Sequence, residues 1–173
     1  MTKQQKELND KFNALPHNQQ RVEIAKDVIK WLELGKLTPM RGDYLKLPNK
    51  FANKVDRDYT GSFQDIVKSR GFNCEVCAKG AILACTVNRK DGVTNGKVLS
   101  GFSGATLSEK LGGVFSPDQL ELIENAFEDF GRGSAVGAHD FYIKHNSSRK
   151  RMIAIMRNII RNDGTFIPWG PNS

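Results

Sequence analysis

Thirteen residues, Asn73-Cys74-Glu75-Val76-Cys77-Ala78-Lys79-Gly80-Ala81-Ile82-Leu83-Ala84-Cys85, constrain this chain more than any other part of it. They hold all three of its cysteines, and only Glu75 and Lys79 among them are charged. Read as one helix at about 100° per residue, the three thiols, Ala78, Ala81 and Ile82 fall within roughly 140° of arc. Val76, Leu83 and Ala84 lie elsewhere on the cylinder. A helix that is apolar most of the way round belongs in an interior. The expected fold is therefore mainly α, a compact multi-helix domain around a buried Cys/Ala-rich central helix. Asn73 is its expected cap, with Cys74 at its first position.

The chain's 173 residues suffice for one domain, 1–173, with a real core and no need of staples. Residues 1–15 are expected to form a loosely attached N-terminal helix. The whole chain's 39% apolar and 26% charged content is that of a folded protein, not a disordered one. No apolar run approaches the roughly 18 residues of a membrane span. Met1 to Lys6 has no hydrophobic segment behind it, so no secretory signal is expected. An odd number of cysteines, two of them three apart, argues for a reducing compartment over a disulfide framework.

In chain order, Lys3–Ala14 reads as a short helix with Leu8, Phe12 and Leu15 as its contacts. Gln19–Leu34, capped by Asn18, has a core seam of Val22, Ala25, Ile29 and Leu32, widened by Ile24, Val28 and Trp31. Residues 38–60 look irregular. Ser62 and Thr106 each have capping-box form and are expected to open short helices. Asp91-Gly92 and Asn95-Gly96 are turn signals, leaving room for a small β-hairpin near residues 86–99. Phe115-Ser116-Pro117-Asp118-Gln119-Leu120 is the clearest helix start: Ser116 caps, Pro117 is first, and Phe115 staples to Leu120. A Gly-rich segment, 131–146, precedes a last helix over 148–162.

Charge is unevenly spread within the net +7. Residues 101–140 hold two basic and seven acidic groups, whereas 141–173 hold six and one. On the last helix Lys150, Arg157 and Arg161 fall within about 40° of one another. Arg149, Lys144 and Arg151 add charge near its start. Such a row can track phosphates, or serve as a partner for the acidic helix of 118–129. It carries no interleaved aromatic residues for stacking.

The thiols are read mainly as packing groups, since a buried free cysteine behaves as a small hydrophobe. The rival reading is a cysteine hydrolase, with Cys77 or Cys74 as nucleophile, His139 as base and Asp140 beside it. A zinc site would need His139 and His145 as further ligands at unsuitable spacing, so no metal is expected. Calcium loops and phosphate-cradling Gly motifs are missing, and no cofactor is implied.

Four segments in combination, Val22-Glu23-Ile24-Ala25-Lys26-Asp27-Val28, Cys74 to Ala81, Phe115 to Glu124 and Arg151 to Ile160 with Gly164-Thr165-Phe166, carry a resemblance. The chain resembles small uncharacterised proteins of phages and bacterial mobile elements, from about residue 20 to 168. That group has no assigned activity, so no site residue carries over. The resemblance implies an accessory protein acting in the cytoplasm of a bacterial host cell.

The function expected is that of a small, basic, non-catalytic binding protein. Such an accessory or anti-defence factor would engage a host protein or other macromolecule, or sequester a nucleotide-type ligand through Lys150, Arg157, Arg161 and Arg149. The alternatives are the cysteine-dependent hydrolase and a DNA- or RNA-binding regulator using the C-terminal basic helix. The sequence leaves oligomeric state open.

Overall fold

A computed structural model describes residues 3–42, 44–47, 63–69, 71–90, 104–129 and 137–170. Along them run α1 (Lys3–Asn13), α2 (His17–Glu33), β1 (Leu37–Pro39), β2 (Leu45–Lys46), α3 (Phe63–Lys68) and β3 (Cys74–Val76). There follow α4 (Ala78–Arg89), α5 (Gly104–Lys110), α6 (Pro117–Glu128), α7 (Ala138–Lys144) and α8 (Ser148–Arg161). The fold is mainly helical, with one small three-stranded sheet.

The central post is α4. Every residue from Ala78 to Val87 is buried, so the helix is enclosed on all sides. It packs against α2, α3, α6 and the end of α1, while α2 also lies along α8. Phe12 fixes α1 to this body, 5.4 Å beneath the Arg89 guanidinium, which also grips Asp27 of α2. Leu8 and Leu15, expected to join it, face solvent instead.

The sulfur-bearing segment is not one helix. Cys74, Glu75 and Val76 form the middle strand of the sheet, parallel to β1 and antiparallel to β2. Leu37 lies opposite Cys74, and Leu45 opposite Val76. Cys74 and Val76 turn inward while Glu75 meets Lys46 across the strands at 3.0 Å. The helix starts only after Cys77, an extended N-cap residue with φ −78° and ψ 179°. Asn73 is therefore no cap, and the three thiols share no helical stripe. Pairing on both edges outweighs the weak helical preference of Cys and Val, a tertiary override that single-segment periodicity does not register.

Further along, α4 continues through Arg89, which removes residues 86–89 from the expected hairpin; 91–99 lie outside the described residues. Thr106 sits inside α5 and does not cap it. Ser62 lies outside the described residues. Ser116 does cap α6, accepting the Gln119 N–H at 3.2 Å, with Pro117 next and both Phe115 and Leu120 buried. In the Gly-rich segment the unexpected helix is α7, entered through Gly137 at φ 83°.

Amide side chains hold the residues beyond α8. Gln119 and Asn158 each bond twice to the backbone, Gln119 to Phe166 and Asn158 to Ile167. Asn18 and Gln19 both donate to Asp163 at 2.7 Å, and Arg21 to the carbonyls of Gly164 and Val114. Gly164 allows this approach: at φ 87° a Cβ there would lie 2.3 Å from the Asn18 oxygen.

Candidate functional site

Each thiol is held in its protonated form by its surroundings. Burial pushes Cys74 up to about 12. Cys77 is pushed up to about 11, chiefly by burial and further by Glu128 and Glu124, against the opposing N–H groups of Gly80 and Lys79. Cys85, fully enclosed, is raised well above the ordinary thiol range by burial, then by Asp27. A nucleophilic cysteine needs the opposite, a half-exposed electropositive setting. His139, placed beside Cys77 in the hydrolase reading, instead puts its Nδ1 2.8 Å from Asp129 Oδ1. Asp140 is exposed in the first turn of α7. Among the described residues no group of three or more His, Cys, Asp or Glu side chains could hold a metal ion.

The basic row has a different setting. Ser147 caps α8 by accepting the Lys150 N–H, and the helix then presents Lys150, Ile153, Ala154, Arg157 and Arg161 along one side. That spacing follows the 3.6-residue turn. With Phe141, Lys144 and His145 from α7 and its end, these residues enclose a groove of about 370 Å³. This is within the range of small-ligand sites. Lys144, Lys150, Arg157 and Arg161 are exposed at its rim, while Phe141 is buried in its floor.

The floor is rigidly backed. The Phe141 ring lies 4.6 Å from the His145 ring and meets Phe166 edge-on at 5.2 Å. His145 is half-buried, and its pKa is lowered by burial, then by the charges of Lys144 and Arg151. Arg151 is itself buried; it donates to the Phe127 carbonyl at 3.0 Å and lies 3.6 Å over the Tyr142 ring. Arg41, from the loop after β1, donates to the Tyr142 hydroxyl at 2.7 Å and to the Glu128 carbonyl. Two guanidiniums thus pin α7 in place behind the groove.

Three of the four expected binding residues, Lys150, Arg157 and Arg161, share this groove. Arg149 does not line it: its guanidinium donates to the Leu32 carbonyl at 3.0 Å. Nor does the row pair with α6. Glu124 is taken by Lys79 and Glu128 by Arg41 and the Gly42 N–H, and among the described residues no ion pair engages Lys150, Arg157 or Arg161. The opposite wall, Phe141, Lys144 and His145, was not legible as a wall, since α7 is barely two turns long and lacks a side-chain cap. The one available signal was the aromatic-basic run Phe141-Tyr142-Ile143-Lys144-His145.

Four cations and an imidazole on one rim, with no carboxylate among the described lining residues, form a field that favours an anion. Arginine forks suit phosphate oxygens in particular. Among the described residues no helix is long and apolar enough to cross a membrane. Compared with known protein families, curated proteins and solved structures, this chain has no match in any of the three.

Proposed function

We propose that this is a non-catalytic binding protein that holds a phosphate-bearing, nucleotide-type ligand in the groove between α7 and α8. One observation carries the reading: Lys144, Lys150, Arg157 and Arg161 converge on a single cavity with an apolar floor and, among the described residues, no acidic lining side chain. Like charges gathered on one rim repel, and a bound phosphate relieves that repulsion. Phe141, Ile153 and Ala154 give a ring or sugar face something to cover. In the accessory setting that the sequence resemblance implies, such a protein sequesters its ligand and leaves it chemically unchanged.

The test is calorimetry at low salt with nucleotides and inorganic phosphate, on the wild type and on Arg157→Ala/Arg161→Ala. Both arginines are exposed, so the double variant is expected to keep the wild-type circular dichroism and melting curve. Loss of most of the affinity in that variant supports the reading. Unchanged binding, or none by the wild type, ends it.

A further inference from the structure

The groove has an order along its length that a nucleoside monophosphate does not match. Lys150 and Arg161 are eleven positions apart on α8, a span of about 16 Å at the rise of an α-helix. Ile153 and Ala154 lie between them, and Arg157 stands one turn before Arg161. Lys144 and His145 join at the Lys150 end, since they precede α8 by only a few residues. The sequence along the groove is thus cationic, apolar, cationic. A mononucleotide, with its charge at one end only, satisfies half of it.

Two further features narrow the ligand. The cations are exposed on the rim, so a phosphodiester chain can pass along them without being swallowed. Small-molecule sites, by contrast, enclose most of their ligand. Among the described lining residues there is no Asn, Gln, Asp or Glu to read an adenine or cytosine edge, and the exposed lysines and arginines suit the phosphate chain. An apolar floor backed by the packed rings of Phe141 and Phe166 serves a base face that is unstacked, and in a duplex that face is hidden.

Resting on the nucleotide reading above, we infer that the groove takes single-stranded oligonucleotide without base preference: phosphates at the Lys144/Lys150 and Arg157/Arg161 ends flank one base laid over Ile153, Ala154 and the His145 ring. Binding is a simple association with no bond made or broken. Its salt dependence follows the number of phosphates neutralised, about −0.7 in log K per log salt for each on a single strand.

Calorimetry with thymidine monophosphate, hexathymidylate, hexa-adenylate, an abasic hexamer and a hexamer duplex tests this. The expected result is affinity at least about tenfold higher for hexathymidylate than for the monophosphate, with hexa-adenylate within about threefold of it. The abasic hexamer and the duplex are expected to bind more weakly than either single strand. Lys150→Ala is expected to weaken the hexamer and flatten its salt slope by about one phosphate's share. Equal affinity for monophosphate and hexamer overturns this inference and leaves the nucleotide reading standing. So does a duplex bound as tightly as the strand. Failure of every nucleotide to bind removes both. Lys150→Glu, with reversed charge at the same exposed position, is expected to give a larger loss; a hexamer affinity unchanged in both variants also overturns the inference.

Discussion

Lys79, in the first turn of α4 and only 4% exposed at its side chain, donates to Glu124 of α6. The pair is unequal, because Glu124 retains 26% exposure and some water of its own. Breaking a buried pair costs most when the deeper charge is the one left behind. Glu124→Leu is therefore expected to destabilise by about 3 kcal/mol, and Lys79→Met by about 1. The double variant Lys79→Met/Glu124→Leu should recover most of the loss. Urea denaturation of all four proteins gives the cycle, and simple additivity would contradict the coupling.

Gly80 illustrates how closely the sheet approaches α4. A Cβ at this position would stand 1.8 Å from the backbone oxygen of Tyr44, which also accepts the Cys77 N–H at 3.3 Å. No rotamer relieves a clash with backbone, so Gly80→Ala must push the Tyr44–Lys46 segment off β3. A loss of about 3 kcal/mol or more is expected, at the upper end of overpacking costs. Ala substituted at exposed Gly35, where no atom lies within 4 Å, should cost only the strain of its positive φ. Melting temperatures of the two variants separate the effects.

The thiols provide a kinetic readout of the core. With Cys77 pushed up to about 11 and Cys74 to about 12, almost no thiolate exists at neutral pH. Iodoacetamide at pH 7.5 should label the native protein far more slowly than free cysteine and label all three thiols once urea unfolds it. Rapid native labelling of Cys77 would revive the hydrolase reading.

His145 makes groove binding pH-dependent. Its pKa in the free protein is lowered, first by burial and then by Lys144 and Arg151, so at neutral pH the ring is uncharged. The other charges lining the groove are those of Lys144, Lys150, Arg157 and Arg161. An anion in the groove favours the protonated ring and raises its pKa. Affinity must then increase as pH falls through the window between the bound and free values. A phosphodiester without terminal phosphate serves as ligand, since it has no titration of its own there. His145→Gln should abolish the pH dependence, with a lower affinity at every pH because the ring under the base is gone.

The long amphipathic elements were legible from their periodicity, although α2 starts at His17 after an extended Pro16 and its expected cap, Asn18, lies inside the helix. Val22, Ala25 and Leu32 are buried as spaced, and Ser116 caps as expected, whereas the Ser147 cap of α8 is seen only in the structure. The strand at Cys74–Val76 was not, because three residues give no period and its character comes from partners at 37–39 and 45–46. The row Lys150, Arg157 and Arg161 was readable from helical angle alone. Arg149 was misplaced by adjacency: one position is about 100° of rotation, enough to turn it from the groove toward α2. The α7 wall depends on Gly137, Arg41 and Arg151, contacts that span most of the chain and leave no local trace.

The clasp of Asn18 on Asp163 joins positions 145 residues apart. At ribosomal speeds of about 5 to 20 residues per second, its two halves are made roughly 7 to 30 s apart. Throughout that interval the inner face of α2 has no α8 to lie against. A nascent chain of this design therefore stays open to chaperones, and to stray hydrophobic encounters, until translation has passed Gly164.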